Sequence, residues 1–232
     1  MIKYLIGSDY MIIYLILALA VFISGTASGY IQTWYKKTSA MQNSKGLKGK
    51  EVARKILDKN GLSHVKVEPI AGQLTDHYDP RTKTVRLSEG IYDKETVAAI
   101  SVASHECGHA IQDKDGYLFL RIRSTIVPVV NLASKLGYVA IVLGIMFQTL
   151  QIVQIGILAE FIILAFQLIT LPVEFNASSR ALKKIEEYSM VTKKEHENAT
   201  KMLTSAALTY VAAVTSTLLE IFRLLLIFRS ED

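Results

Sequence analysis

Four long apolar runs alternate with two polar stretches along the chain. Across residues 11–23 nearly every side chain is hydrophobic, and residues 24–30 prolong the run with small ones. Together they supply roughly the 20 positions that a membrane-spanning helix needs. A secretory signal peptide is the alternative, because Gly25-Thr26-Ala27-Ser28-Gly29 places small residues near a cleavage point. The segment ahead carries Lys3 but also Asp9 and lacks a signal peptide's basic bias, so an uncleaved helix is expected. Two further runs, residues 127–150 and 152–171, flank a charge-free link at 148–154 and predict a helical hairpin. The last run, 206–228, contains Glu220 and Arg223, three residues apart and able to meet on one helix face. It predicts either a fourth span or a helix packed against the others.

The polar stretches predict shorter elements. Residues 49–57 read as a helix stopped by Asn60-Gly61. Residues 65–87 read as extended: Val65-Lys66-Val67 alternates, and Asp79-Pro80-Arg81 is a turn signal between 74–78 and 84–87, so a small hairpin is expected. Residues 83–88 are expected to form either an ordinary sheet strand or an edge strand on which a substrate peptide lies. Residues 93–112 predict a helix that opens with acidic residues, as suits an N-terminus. Residues 186–201 predict a charged helix.

Charge orients these pieces. The net charge of +5 comes from 26 basic against 21 acidic side chains, a modest excess that fits membrane flanks better than nucleic-acid binding. Lys36, Lys37, Lys45, Lys48 and Lys50 follow the first run. Arg121 and Arg123 precede the hairpin, and Arg180, Lys183 and Lys184 follow it. The positive-inside rule puts all three flanks in the cytoplasm and the N-terminus outside. Lys135, inside the first arm, either snorkels or marks a helix that enters the bilayer late. Glu160, inside the second arm, is expected to make a structural hydrogen bond or to lie close to the outer interface. A single cysteine, Cys107, excludes an intramolecular disulfide framework and a Cys-based zinc cluster.

The chemistry is concentrated in Ser104-His105-Glu106-Cys107-Gly108-His109, a His-Glu-x-x-His motif inside an apolar-periodic helix. Positions four apart share a helix face, so both imidazoles can reach one ion, while Glu106 stands beside it as a general base. With 5 histidines in 232 residues, a shuffled chain carries the motif roughly 0.006 times. Catalytic zinc needs a third protein ligand and an open position. A hairpin that leaves the cytoplasm and returns brings back Glu174, in Leu171-Pro172-Val173-Glu174-Phe175-Asn176-Ala177-Ser178. A carboxylate there is either a solvated helix-end residue or a metal ligand; the missing third ligand favours the latter. His64, His77 and His196 are rival ligands without supporting spacing. A tetrahedral oxyanion needs a further donor, for which Tyr210, His77 and Arg180 are candidates; plainer roles for them are packing, a turn and a basic flank.

The pairing of Ser-His-Glu-Cys-Gly-His-Ala-Ile-Gln with Leu-Pro-Val-Glu-Phe-x-Ala-Ser resembles the YugP-like group of bacterial neutral zinc metallopeptidases. So does Leu74-Thr75-Asp76-His77-Tyr78-Asp79-Pro80-Arg81 through Val85-Arg86-Leu87-Ser88. The layout is more distantly similar to HtpX-like and CAAX-prenyl membrane proteases, in which a Glu after a membrane hairpin is the third zinc ligand. By position that residue is Glu174. Those relatives have an Asp four residues further on that orients a ligating histidine, whereas this chain has Ser178. Asn176, Ser178 or another acid is then the candidate partner.

The resemblance implies a mainly α, integral-membrane fold: zincin-like catalytic helices, a small β-hairpin or sheet, and three to four transmembrane helices. Expected parts are an N-terminal transmembrane helix (1–35), a cytoplasmic zincin-like part with the catalytic helix (36–125) and a transmembrane hairpin (126–173). A third-ligand helix with a charged helix (174–203) and a C-terminal apolar helix (204–232) complete the chain. The expected activity is zinc-dependent hydrolysis of peptide bonds, with one zinc per chain on His105, His109 and Glu174, Glu106 as base, and Tyr210 and His77 as auxiliary residues. Expected partners are a peptide or membrane-protein substrate and the lipid bilayer, not nucleic acid. The expected location is a bacterial plasma membrane with the site facing the cytoplasm. The alternative of another class is a membrane adaptor that keeps zinc without turnover.

Overall fold

The computed structural model describes residues 8–229. Lys3 and the last three residues therefore lie outside the described part. Six helices and a three-stranded sheet are present among the described residues. In chain order they are α1 (Ser8–Ser39), α2 (Gly49–Lys59), β1 (Lys66–Ile70), β2 (His77–Asp79) and β3 (Thr84–Ser88). The remainder are α3 (Val97–Lys114), α4 (Leu118–Met146), α5 (Leu150–Glu187) and α6 (Lys193–Arg229). The chain divides into two compact units. One holds the chain up to Ser28, Ile122–Leu171 and the chain from Thr209 on; the other holds Gly29–Arg121 and Pro172–Leu208.

The described part of the first unit is helical apart from one turn. Four helices are long and apolar enough to cross a membrane: Met11–Ser39, Leu118–Met146, Leu150–Glu187 and Lys193–Ile227. Their most apolar windows are only 0% to 28% buried. Large apolar side chains such as Leu15, Phe22, Leu136, Leu158, Phe161 and Phe222 therefore point outwards, an arrangement suited to hydrocarbon rather than water. Small residues let α4 and α5 approach: a Cβ on Gly137 would collide with Ala159, and one on Gly156 with Ile141. The turn between them is 147–149, tighter than the 148–154 link predicted, because Gln148 adopts a left-handed conformation at φ 52°. Leu164 of α5 packs with Val214 and Ile221 of α6, and the Ser24 and Ser216 hydroxyls, 2.9 Å apart, join α1 to α6. Arg223 Nε donates to Glu220 at 2.7 Å, the pairing that their spacing predicts. Glu160 is half-buried on α5, and Lys135 is exposed on α4.

The second unit has a conventional core. Val52, Ile56 and Leu57 of α2 pack with Val85 and Leu87 of β3, with Ile100, Ala103, Cys107 and Ala110 of α3, and with Ile185, Met190 and Met202. The strand order is β1-β3-β2, with β1 parallel and β2 antiparallel to β3. Residues 84–88 are therefore the centre of the sheet and not an edge; β1 and β2 are the edges. The predicted β2–β3 hairpin forms, with Asp79 accepting from Arg81 N–H at 3.0 Å and from the Thr82 hydroxyl at 2.9 Å.

Two helix boundaries differ from expectation. Thr96, not the acids at 93–95, opens α3: its hydroxyl accepts from Ala99 N–H at 3.1 Å. Residues 186–201 are not one helix. A turn through Ser189, at φ 50°, ends α5. Thr192 and Glu195 then start α6, Glu195 accepting from the Thr192 N–H at 2.6 Å. The charged stretch and the last apolar run are consequently one helix.

Within the second unit α3 and α5 meet closely. A Cβ on Gly108 would stand 2.6 Å from the carbonyl oxygen of Ala177. A methyl group there gains about 1 kcal/mol of helix propensity, but pressing on backbone costs about 1–3 kcal/mol because the carbonyl cannot swing aside. Gly108→Ala is therefore expected to lower the melting temperature of the purified protein by a few degrees; an unchanged or raised melting temperature would refute the tight contact.

Candidate metal centre

The faces of α3 separate its tasks. Ala103, Cys107 and Ala110 turn into the core, where the Cys107 thiol lies 3.6 Å from the Ala53 carbonyl. Burial pushes that thiol well above its ordinary range and keeps it inert. His105 and His109, one turn apart, face α5 with their rings edge to face and centroids 4.8 Å apart. Glu174 of α5 completes the group. Its Oε2 lies 3.3 Å from His105 Nε2 and 3.7 Å from His109 Nε2, and ligand atoms of the three residues all fall within 4.8 Å of one another. Three donors on a tetrahedron around an ion at zinc distances are about 3.3–3.4 Å apart. Two imidazole nitrogens and a carboxylate oxygen so placed need only side-chain shifts, and no rearrangement of the fold, to hold a zinc ion.

Each histidine is held from behind. Ser178 Oγ lies 3.2 Å from His105 Nδ1, so the residue standing where a relative has Asp still reaches the histidine. Gln112 Oε1 lies 3.0 Å from His109 Nδ1. Sequence reasoning missed Gln112, although it follows His109 by three residues and so shares its helix face. Asn176, weighed as a histidine partner, instead accepts from Gln112 Nε2 at 2.9 Å.

Glu106 is 7% exposed and lies beside the ligand group without joining it. Burial raises its carboxyl to about 7. The positive influence of His105 opposes this, the charges of Glu174 and Asp76 reinforce it, and the backbone N–H of Tyr78 steadies the ionised form. That N–H comes from β2, so the edge of the sheet is applied to α3. Asp76 is itself fixed, accepting from Ser88 N–H at 2.7 Å and from the Ser88 hydroxyl at 2.9 Å. The Tyr78 phenol donates to Asp113 at 2.7 Å; burial and that contact hold its proton firmly.

The other candidates are not members of that ligand trio. His77 Nδ1 donates to the Thr75 carbonyl at 2.8 Å, and its Nε2 faces Arg86 at 3.5 Å. Arg180 pairs with Asp115 at 2.5 Å and donates from Nε to Asn176 at 2.8 Å. Tyr210 lies on α6 in the part of the chain assigned to the first unit. His64 is exposed after α2, and His196 lies in the first turn of α6; neither belongs to the trio.

The model of a family described as "Putative neutral zinc metallopeptidase" matches residues 12–229. The chain belongs to this family. It is 46% identical over 198 residues to the "Putative membrane protease YugP" of Bacillus subtilis (strain 168), an alignment covering 85% of this chain and 88% of that protein. No solved structure matches.

The raised carboxyl of Glu106 predicts a pH dependence for the stability of the metal-free protein. Its folded value of about 7 lies above the ordinary 4.5. The native state thus holds the proton more tightly than the unfolded chain, and stability falls as pH rises from 4.5 to 7. The loss is on the order of 3 kcal/mol. Metal-free Glu106→Gln protein is expected to melt several degrees above metal-free wild type at pH 8, with the gap closing toward pH 5. Equal melting temperatures at pH 8 would show that the carboxylate is not strained.

Proposed function

We propose that this member of the neutral zinc metallopeptidase family is a membrane-embedded endopeptidase that holds one zinc ion on His105, His109 and Glu174 and uses Glu106 as general base. The observation that carries the reading is the arrival of Glu174, from a distant helix, at ligand distance from both histidines. A zinc ion held there would supply Lewis acidity to the attacking water and to the scissile carbonyl. Glu106 takes one proton from that water as its oxygen bonds to the carbonyl carbon. The same carboxyl returns the proton to the amide nitrogen as the C–N bond breaks. Tyr78 N–H keeps the Glu106 carboxylate in place during both transfers. A substrate strand lying along the outer edge of β2 would run past Glu106, with recognition through its backbone.

Substrates are peptides or segments of other membrane proteins. The basic flanks Lys36, Lys37, Arg121, Arg123, Lys183 and Lys184 support a plasma-membrane location in a bacterium with the site on the cytoplasmic side. A zinc-holding adaptor requires only ligands, whereas the buried Glu106 beside them has a use only in turnover.

Glu106→Gln is expected to retain zinc while losing proteolysis of a peptide library by about 10²–10⁴-fold; full activity in that variant would eliminate Glu106 as base. In Glu174→Ala, metal analysis is expected to find little zinc, and full occupancy would mean that another residue closes the site. Reporter fusions at Lys37 and Lys184 should both report the cytoplasm, opposite sides being the result that breaks the orientation.

A further inference from the structure

Behind His109 lies a chain of polar groups that the proposed mechanism does not use. Gln112 is fully buried. Its Oε1 faces His109 Nδ1 at 3.0 Å, and its Nε2 lies 2.8 Å from the Val173 carbonyl and 2.9 Å from Asn176 Oδ1. Asn176 Oδ1 also receives Arg180 Nε at 2.8 Å, and Arg180 is paired with Asp115 at 2.5 Å.

Amide oxygens and nitrogens look alike in shape, so the direction of such a chain has to come from groups with only one role. Two are present. A backbone carbonyl can only accept, so the Gln112 atom facing Val173 must be the NH₂ group. A guanidinium can only donate, so the Asn176 atom facing Arg180 must be the oxygen, and that oxygen accepts from Gln112 as well. Both ends therefore force the same orientation, which turns the Gln112 oxygen toward His109. An oxygen there demands a proton on Nδ1, leaving Nε2 as the ring's lone-pair donor on the side of Glu174.

We infer that Gln112 is the positioning residue of the metal site, holding the His109 proton on Nδ1 and presenting Nε2 to the ion, with Val173, Asn176 and Arg180 fixing the direction of its amide. The same side chain grips α5 on both sides of Glu174, through Val173 and Asn176, so one buried amide sets the ring of one ligand and the backbone of another. Outer hydrogen-bond partners of this kind typically change metal affinity about 10–100-fold.

The inference rests on His109 being a zinc ligand, and its test is a zinc affinity rather than an activity. The full-length protein in detergent is titrated with zinc against a competing chelator, as wild type, Gln112→Leu and Gln112→Glu. The Leu variant keeps bulk but loses the acceptor, and a loss of about 10–100-fold is expected. The Glu variant keeps an acceptor toward Nδ1 but loses the NH₂ toward Val173 and Asn176; it is expected to fold less stably than the Leu variant yet bind zinc more tightly, which a purely structural role would not produce. In zinc-loaded wild type labelled with ¹⁵N-histidine, His109 is expected to show a protected Nδ1–H. Coordination of wild-type His109 through Nδ1 overturns the inference without any variant, even if Gln112→Leu does not fold. Wild-type affinity in a folded Gln112→Leu protein overturns it while the zinc site stands. A wild-type protein that binds no zinc removes both.

Discussion

Where α3 crosses α5, Gly108 leaves a space that the carbonyl of Ala177 fills, and the geometry of the site follows from that closeness. The two histidines sit on the turns either side of the glycine, so the backbones must approach before Glu174 can reach both Nε2 atoms. A helix pair held apart by an ordinary side chain would leave the carboxylate out of range of one ring. The contact also places Ser178 and Asn176, which flank Ala177, against His105 and Gln112. Packing and the proposed coordination are thus one constraint: α5 supplies the candidate ligand Glu174 and part of the histidines' support in the same two turns.

Electrostatics shows why such a constraint is worth maintaining. Glu106 and Glu174 are both almost fully buried, and the charge of Glu174 makes ionising Glu106 harder. Two neighbouring carboxylates in a protein interior are costly unless opposing charge is supplied. Two imidazoles offset part of that cost, and a divalent cation would offset the rest. A fold stabilised by its metal in this way has little reason to keep Glu106 ionised when the ion is absent, in keeping with its raised carboxyl.

Several elements were legible in the sequence because each depends on local pattern. The motif histidines read directly from helical periodicity, Glu174 from the charge asymmetry around the hairpin, and the β2–β3 turn from Asp79-Pro80-Arg81. What failed depends on partners far away in sequence. The central place of β3 comes from parallel pairing with β1, and no periodicity in 84–88 distinguishes a strand paired on one side from one paired on both. The break at Ser189 requires a positive φ at a non-glycine residue, which the charge pattern of 186–201 conceals. Gln112 was passed over for another reason: a glutamine on a helix has many outlets, and only the Val173 carbonyl from α5 singles out this one.

Ser178 in place of the Asp of more distant relatives therefore has a different meaning in the structure. A hydroxyl can donate or accept, so the contact with His105 permits the required ring proton without imposing it. Gln112 leaves no such freedom at His109, because Val173 and Arg180 fix its direction from both ends. The two ligands are consequently unequal: one ring is set by the protein, the other completed by whatever binds between them. Neutral partners on both rings also leave the ligand set with one formal negative charge, that of Glu174. An added carboxylate behind His105 would strengthen the ligand but place a third acid near Glu106, whose ionisation Glu174 and Asp76 already oppose. A serine reaches the ring without adding that charge, and so spares the base that the proposed reaction needs.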